Sequence, residues 1–424
     1  MSNSKTRVAS FFAGIGGFDL GFERNGFKTV YQCELNQFCA SVLETRWPKV
    51  PRSKNITTVR ASDIPQADIW CAGFPCQDVS VARGLHGREG LKGKNSGLFY
   101  PFLKLVEEKQ PRVIILENVL GLLNSHGGQD FRVVLSELSN LGYTVAWRVM
   151  NSRYFGAPQS RPRVFICASR GDPELPLKAL YETVKGAVPE NRRKGFLTED
   201  KCKTSGASVP RVAYCLAATS GRHTGTDWSR TYISYSNGVR RLTPTECEGL
   251  QGFPSGWTDL IDSKATNSDI DTPRYHALGN AVAVPVIEWI AKNIRAAEKT
   301  SIRLVNGFSV EEAVEPYLDF SSPKTRSFTF DQATLGENGS PFRWQTGGYI
   351  KGQACIDVRA PEAPSQIIEK PLVKVVESAR PDDRYFLSPN AAQGIIRRVD
   401  NQNRTLFKPM DTALRKMIEE IEAV

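Results

Sequence analysis

The sequence lacks any run of about 18 apolar residues, and its first residues lack the apolar stretch of a signal peptide. Histidine is scarce, and its four residues are too scattered to suggest a metal site. The nine cysteines include no C-x-x-C pair, so neither structural zinc nor a disulfide framework is indicated. These absences predict a cytoplasmic protein with no membrane span and no bound metal.

The composition itself is ordinary for a globular protein, with 40% hydrophobic and 24% charged residues. A chain of 424 residues exceeds the usual size of one hydrophobic core, so we expect a large domain and a smaller one. The formal net charge of +10 favours a polyanionic partner such as nucleic acid. A merely soluble basic protein would carry the same charge.

Continuous apolar runs alternate with segments of helical spacing over residues 6–169. This order predicts an α/β fold built on a doubly wound, mostly parallel sheet. Folds of this kind bind ligands where the carboxyl ends of the strands meet their loops. The predicted strands are TRVASFF, TVYQCE, ADIWCAGF, PRVIILENV, TVAWRVM and RVFICAS.

A glycine-rich turn, FAGIGGF at 12–18, follows the first predicted strand and opens a helix. It matches neither the G-x-G-x-x-G fingerprint nor a P-loop, so alone it is a weak sign of a nucleotide-like ligand. Glu34 ends the second strand, about 20 residues later, where a carboxylate accepts hydrogen bonds from ribose hydroxyls. Asp63 precedes the next strand and would accept from an adenine amine. Either acid alone would be a solvated strand end, but together with the turn they predict an adenosine site.

The stretch CAGFPCQDVS at 71–80 places two cysteines near the end of the third predicted strand. Cys71 lies inside the strand and is expected to be buried and inert, whereas Cys76 lies just beyond it. Glu117 ends the next strand at the same edge of the sheet. A thiol and a carboxyl at that edge form a candidate pair of nucleophile and acid.

Six blocks in this order resemble the DNA (cytosine-5) methyltransferases of bacteria and phages, and they cover residues 6–295. The resemblance implies a Rossmann-like, S-adenosylmethionine-dependent methyltransferase domain and a second, smaller target-recognition domain, acting on double-stranded DNA. The blocks are FAGIGGF, GFPCQDVS, ENV, QSRPRVF, RRLTPTECEGLQGFP and YHALGNAVAVPV.

The resemblance implies a pocket for S-adenosylmethionine in which Phe12 stacks on adenine, Glu34 holds the ribose and Asp63 the adenine amine. Leu35 departs from the family, in which a tryptophan often follows the ribose acid. The implied cofactor-binding residues are Phe12, Ala13, Gly14, Ile15, Gly16, Gly17, Glu34, Leu35, Asp63, Ile64, Gly73, Pro75, Leu98, Asn280, Ala281 and Val282.

The resemblance also implies the chemistry. Cys76, as thiolate, adds to carbon 6 of cytosine, and Glu117 contacts N3 and the amino group. Arg161 and Arg163 anchor the cytosine O2 and nearby phosphates. The target base must leave the duplex, and the Gly-rich, basic segment 80–97 is interpreted as a lid over DNA, with a solvent loop as the alternative.

The recognition region does not stand at its usual place between RVFICAS and RRLTP, where the chain is short. We therefore expect a catalytic domain at 1–300 and a recognition domain at 301–424. Within the latter, SPFRWQTGGYIKG is expected to contact a DNA groove, and AAQGIIRRVDNQNR to form a helix that positions phosphates. An appended domain for oligomerisation is the alternative.

Two other functions remain open. Some members of the family act on tRNA, and a catalytically inactive DNA-binding module would keep much of the same sequence. The set of Cys76, Glu117, Arg161 and Arg163 favours an active DNA methyltransferase. We expect a monomer that acts on double-stranded DNA, with a cognate restriction endonuclease as a separate partner in a restriction-modification system.

Overall fold

The computed structural model describes residues 5–75, 96–183, 194–221, 229–260, 271–299, 312, 314–317, 325–330 and 342–422. The chain forms two compact units, and each is built from three stretches of sequence. The first unit comprises Met1–Asn151, Pro162–Val188 and Val286–Ile367. The second unit comprises Ser152–Arg161, Pro189–Pro285 and Ile368–Val424.

The strands are short, as in most α/β proteins, and the helices run from one to four turns. The described strands are β1 (Arg7–Phe11), β2 (Lys28–Cys33), β3 (Arg52–Ser53), β4 (Ile69–Ala72), β5 (Val113–Val119), β6 (Thr144–Asn151), β7 (Pro162–Ser169), β8 (Glu199–Lys201), β9 (Ser208–Pro210), β10 (Tyr232–Tyr235), β11 (Gly238–Arg241), β12 (Arg326–Thr329), β13 (Gly347–Lys351) and β14 (Ala354–Val358). The described helices are α1 (Gly17–Glu23), α2 (Gln37–Arg46), α3 (Phe99–Lys109), α4 (Gln129–Asn140), α5 (Leu175–Leu180), α6 (Lys194–Leu197), α7 (Pro244–Gln251), α8 (Asp271–Asn280), α9 (Val284–Lys299), α10 (Pro389–Asn401) and α11 (Lys408–Glu422).

The first unit is built on one ten-stranded sheet with the order β12-β14-β13-β6-β7-β5-β4-β1-β2-β3. Strands β1 to β5 pair in parallel, and β7 runs antiparallel between β5 and β6. The prediction of an α/β fold with a mostly parallel sheet is confirmed for this part of the sheet. The continuous apolar runs become strands with both faces covered.

Helices α3 and α4 contribute to the hydrophobic cluster on one face of the sheet, where Phe11 contacts Phe102 edge-to-face with ring centroids 5.3 Å apart. Ser10, the preceding strand residue, points to the opposite face and donates a hydrogen bond to Asp19 in α1. On that face α1 approaches α9 closely, because a Cβ on Gly21 would lie 2.6 Å from Ile287. The two layers fix β1 and the turn that follows it.

The glycines of SPFRWQTGGYIKG suggest a loop that contacts a DNA groove, and this prediction is wrong for the part that the structure describes. Its residues 347–351 form β13, which pairs antiparallel with β6 inside the sheet. A Cβ on Gly348 would lie 2.2 Å from the ring of Trp147, so this glycine permits close packing rather than flexibility. Trp344 is 5% exposed and donates a hydrogen bond to the Gly128 carbonyl at 2.9 Å.

The second unit contains a four-stranded antiparallel sheet with the order β11-β10-β9-β8. Helices α10 and α11 bury apolar side chains against β10 and β11. Helix α7 begins at a capping box of Thr243 and Glu246 and ends at Gly252 in the left-handed conformation. Glu246 also forms a fully buried two-bond ion pair with Arg240, at 2.8 Å for each bond.

The boundary between the units does not fall at residue 300, where we expected one. Strands β12 to β14 join the sheet of the first unit, whereas the chain from Ile368 onward joins the second. The C-terminal segment therefore contributes to both units. The expectation of a separate domain at 301–424 did not foresee this, because strand pairing between residues about 200 positions apart leaves no local signal.

Candidate active site

The glycine-rich turn takes alternating left-handed residues, with φ of +51° at Phe12, +56° at Gly14 and +84° at Gly16. A Cβ on Gly16 would lie 2.4 Å from the Trp47 ring, so only glycine fits there. A Cβ on Gly14 would meet no atom within 4 Å, which leaves the space above its backbone open. Phe12 holds a conformation that non-glycine residues rarely adopt, and such residues cluster at ligand sites.

The Glu34 carboxylate lies against this turn. Its Oε2 accepts a hydrogen bond from the Gly14 backbone N–H at 2.7 Å, and its Oε1 accepts one from the Asn36 N–H at 2.7 Å. Burial raises the pKa of the Glu34 carboxyl, and the backbone N–H groups of Asn36, Gly14 and Leu35 partly offset that rise. The structure therefore brings together the glycine turn and the acid that the sequence pairs at a distance of about 20 residues.

The other predicted cofactor residues of the first unit differ in how deeply they are buried. Phe12 and Leu98 are half-buried against the cluster that contains Ile64 and Phe74. Leu35 is 66% exposed. Asp63 is exposed and accepts a hydrogen bond from the Arg60 N–H at 3.0 Å. Ala13, Ile15 and Gly17 are buried in the turn and the start of α1.

The ends of β4 and β5 form the second part of the site. The Oε2 atom of Glu117 lies 3.7 Å from the position that a Cβ on Gly73 would occupy. Its Oε1 pairs with the Nε of Arg163 at 3.1 Å, in a site where both side chains are mostly buried. Parallel pairing of β4 with β5 therefore places the predicted acid directly over the chain that leads, through Pro75, to Cys76. Cys76 itself lies outside the described residues, as does nearly all of the proposed lid at 80–97.

Asn118 is a residue of this site whose role the sequence did not reveal. Its Nδ2 donates to the Phe74 carbonyl at 3.3 Å, and its Oδ1 accepts from the Val119 N–H at 2.8 Å. The side chain is 2% exposed. Asn118 therefore links the segment before Pro75 to the end of β5. In the sequence, only its position next to Glu117 could have indicated this role.

Asp19 is a second such residue, and it lies behind the glycine turn. It is fully buried and accepts hydrogen bonds from Ser10 Oγ at 2.9 Å and Gln32 Nε2 at 3.1 Å. Burial raises the pKa of Asp19 to about 6, against an ordinary value of 3.8. Burial likewise raises the pKa of the Cys71 thiol, which is fully buried as predicted.

The two arginines of QSRPR have different environments. Arg163 contacts Glu117, but Arg161 belongs to the second unit and is 3% exposed. The Arg161 guanidinium donates to the backbone carbonyls of Leu216, Gly279 and Ala281 at 2.8–3.0 Å. In this conformation Arg161 holds main chain together, and its contact with cytosine O2 stays a prediction.

Residues Asn280 to Val282 also belong to the second unit, where Ala281 and Val282 are buried and Asn280 is exposed. The buried Gln251 side chain supports this turn by donating to the Leu278 carbonyl at 2.7 Å. Their part in the cofactor pocket stays a prediction. The described residues include no group of three or more histidine, cysteine or acidic side chains that could hold a metal ion. No helix among them is long and apolar enough to cross a membrane.

The model of the family described as C-5 cytosine-specific DNA methylase matches residues 6–207 and 181–296. The chain belongs to this family. It is therefore an enzyme, a DNA (cytosine-5) methyltransferase, and the resemblance found in the sequence is confirmed. The match ends at residue 296, so the whole C-terminal segment 301–424 lies outside it.

This C-5 cytosine-specific DNA methylase is similar to Type II methyltransferases in sequence and to a solved methyltransferase structure in fold. The Type II methyltransferase M.NgoBI of Neisseria gonorrhoeae is 34% identical over 68% of this chain and 92% of its own length. M.Bsp6I of Bacillus sp. (strain RFL6) is 32% identical over 68% of this chain and 98% of its own. The solved structure of the Entamoeba histolytica methyltransferase EhMeth covers 70% of this chain and 99% of its own, with a TM-score of 0.51 and 18% identity. That likeness supports the fold alone.

Proposed function

We propose that this methylase transfers the methyl group of S-adenosylmethionine to carbon 5 of a cytosine within a short duplex sequence, through a covalent bond to Cys76. The observation that carries the proposal is the pair of Glu117 and Arg163 over Gly73, where β4 leads into Pro75 and Cys76. An acid held by an arginine beside the expected position of a nucleophile suits attack on a heteroaromatic ring.

The glycine turn and Glu34 fit the methyl donor. Glu34 presents carboxylate oxygens that already accept two N–H groups and keep further lone pairs for ribose hydroxyls. The open space at Gly14 allows a ligand to approach the backbone. Phe12, Ile64 and Leu98 would contact its adenine. When bound, S-adenosylmethionine supplies an electrophilic methyl group for carbon 5.

The chain's own residues would activate the base. The Cys76 thiolate forms a bond from its Sγ to carbon 6, and the electron pair of the C5–C6 double bond makes carbon 5 nucleophilic. Glu117 would contact N3 and the amino group as negative charge develops on the ring, and Arg163 would hold the Glu117 carboxyl in place. After methylation, loss of the carbon 5 proton and release of Cys76 restore the double bond.

Several wider features belong to the same proposal. The target cytosine would flip out of the duplex, at a cost of a few kcal/mol. We place target recognition in the second unit, including its C-terminal part from Ile368. The names of the Type II relatives suggest a role beside a separate restriction endonuclease. We propose that the enzyme works as a monomer.

The test compares wild type with Cys76→Ser and Cys202→Ser. Burial tends to raise the pKa of the Cys202 thiol, but hydrogen bonds from Thr204 and Ser205 outweigh it and bring the pKa to about 7. Cys202 is therefore a matched control for a thiolate elsewhere in the chain. Duplex DNA and tRNA would be offered separately with tritiated S-adenosylmethionine, and methylated DNA would be bisulfite-sequenced.

Transfer to cytosine in one short DNA context, lost in Cys76→Ser and kept in Cys202→Ser, is the expected result. Transfer to tRNA alone would favour the RNA-directed alternative. DNA binding without transfer to either substrate would favour an inactive module. Full activity in Cys76→Ser would rule out the covalent step.

A second experiment tests the cofactor site. In wild type, both carboxylate oxygens of Glu34 accept backbone N–H groups. Glu34→Gln keeps one acceptor oxygen and replaces the other with an NH2 donor. We expect the KM for S-adenosylmethionine to rise about 10-fold or more, with kcat little changed, because the contact holds the ribose rather than the reacting atoms. The control is Glu44→Gln, an exposed position on α2. Equal KM values in the two variants would contradict the assignment of Glu34.

A further inference from the structure

Helix α10 of the second unit lies beyond the last residue that the family model matches. Its apolar face packs against the sheet, where Ile395 and Val399 join a cluster with Val239 of β11 and Leu414 of α11. The Leu387 N–H donates to the Val239 carbonyl at 2.8 Å just before the helix begins. Ser388 then caps the first turn by accepting from the Ala391 N–H. The helix is therefore fixed on a rigid support.

The opposite face of α10 carries one continuous stripe, here called the α10 stripe, formed by Asn390, Gln393, Arg397 and Asn401. All four are exposed. Their spacing of three, four and four residues places them in one line along the helix. Among the described residues, Arg397 has no ion pair with a carboxylate. The neighbouring Asp400 pairs with Arg415 of α11 at 3.4 Å. The stripe thus presents amide groups and a cationic fork to solvent.

Each residue of the stripe carries an amide or a guanidinium, and both are planar groups that can form two hydrogen bonds with one partner. Gly394 lies beside the stripe in the helix interior, where glycine lowers helix stability relative to alanine. A Cβ on Gly394 would lie 3.1 Å from Nη1 of Arg398, so this glycine leaves room for the Arg398 guanidinium beside the stripe.

The chemistry of the stripe matches base edges in the major groove of DNA. An asparagine or glutamine side chain forms two hydrogen bonds with adenine N6 and N7, and an arginine forms two with guanine O6 and N7. A single α-helix fits the major groove, and the net charge of +10 favours a polyanion. A protein partner is the other occupant to consider, but a stripe without a large apolar residue lacks the anchor of a typical protein interface.

We propose that α10 is the recognition helix of this methylase and that Arg397 reads a guanine in the target sequence through the major groove. This inference rests on the proposed function, because it needs a DNA substrate that the enzyme modifies at a defined sequence. The inference goes beyond the proposed function because it names α10 as the surface that contacts the bases and guanine as the base that Arg397 selects.

The experiment uses the full-length enzyme and a duplex library with randomised positions around a cytosine, read out by bisulfite sequencing. The variants are Arg397→Ala, Arg397→Lys and, as the matched control, Lys416→Ala. Lys416 is an exposed cation on α11, outside the stripe. Circular dichroism and the KM for S-adenosylmethionine verify that each variant is folded and binds its cofactor.

We expect wild type and Lys416→Ala to share one sequence preference. Arg397→Ala and Arg397→Lys should lose discrimination at one G·C pair by about 5- to 150-fold, because lysine keeps the charge but not the two-bond fork. A uniform loss of activity over all sequences in Arg397→Ala, with wild-type behaviour in Arg397→Lys, would mean a phosphate contact and overturn the inference. An unchanged preference in both variants would overturn it as well, in favour of a different occupant of the stripe.

The two proposals fail in distinguishable ways. If wild type methylates no duplex DNA, the proposed function fails and the inference falls with it. If wild type methylates a defined sequence and the Arg397 variants keep that sequence, only the inference fails.

Discussion

The Nε of Arg163 lies 3.1 Å from the Oε1 of Glu117, across two antiparallel strands in which Arg163 is paired with Val119. Residues two positions apart on a strand share a face, so Glu117 and Arg163 are diagonal neighbours across the ladder. The contact follows from the strand register. A shift of one residue in either strand would point one of the two side chains to the other side of the sheet.

Replacing Arg163 is therefore expected to impair the chemical step. Arg163→Met should lower kcat about 100-fold, because the Glu117 carboxyl loses the group that orients it, and Arg163→Lys should lower kcat less. The measurement is single-turnover methylation of duplex DNA. Arg170→Met is the control, since Arg170 is exposed just beyond the other end of β7. Equal rates for Arg163→Met and Arg170→Met would count against the orienting role.

Asn118 is expected to position the segment that precedes Cys76. Asn118→Asp keeps the shape of the side chain but replaces the Nδ2 donor with an acceptor facing the Phe74 carbonyl. We expect kcat to fall about 10-fold or more and the free energy of unfolding to drop by about 1–3 kcal/mol, because a buried carbonyl loses its partner. The KM for S-adenosylmethionine should change little. Asn140→Asp, at an exposed position ending α4, serves as control, and a kcat that matches the control would refute the assignment.

Asp19 should make the stability of the first unit depend on pH. Burial raises its pKa in the folded protein to about 6, from an ordinary 3.8. Between these values the folded state binds more protons than the unfolded state, so this group's contribution to stability falls as pH rises through that window. It should be fully present below pH 3.8 and lost above pH 6.

The variant Asp19→Asn removes this titration. Urea unfolding of both proteins from pH 4 to pH 7 should show the variant gaining stability relative to wild type as pH rises, with the change complete above pH 6. The exposed Glu44→Gln change on α2 should show no such trend. A difference between Asp19→Asn and wild type that stays constant with pH would contradict the raised pKa.

Gly348 should stabilise the pairing of β13 with β6 and β14 in the sheet of the first unit. In Gly348→Ala the new methyl group would lie 2.2 Å from the Trp147 ring and 2.4 Å from the Ile356 carbonyl. We expect the free energy of unfolding to fall by about 1–3 kcal/mol or more, as overpacked cores do. Gly238→Ala is the control, because its Cβ would come no closer than 3.4 Å to Phe386. If Gly348→Ala and Gly238→Ala unfold at the same denaturant midpoint, β13 accommodates the added methyl group without loss of stability.

Much of the first unit could be predicted from the sequence because its signals are local. Buried parallel strands appear as continuous apolar runs. The glycines of 12–18 predict the turn whose backbone contacts Glu34. The adjacency of β4 and β5 at their carboxyl ends brought Glu117 to the chain before Cys76, as expected. These features depend on residue types and on the general rules of α/β folds.

The C-terminal part of the chain lacks such local signals. The glycines of SPFRWQTGGYIKG suggest a loop, but only the folded chain reveals that Trp147 and Tyr181 occupy the space where their side chains would be. Arg161 and Arg163 look equivalent in QSRPR, because residues two positions apart in an extended chain point to the same side. Only the structure shows that Arg161 precedes β7 and donates to buried backbone carbonyls of the second unit, whereas Arg163 lies within β7 and reaches Glu117.

The sequence by itself determined the family, and it predicts the chemistry at Cys76 and Glu117 and a site for an adenosine group at the glycine turn and Glu34. Only the tertiary structure decided which arginine supports Glu117, that Asn118 ties β5 to the chain before Pro75, and that residues 301–424 divide between two units. The physical reason is range: residue type and periodicity act over a few positions, whereas strand pairing and side-chain packing join positions up to about 200 residues apart.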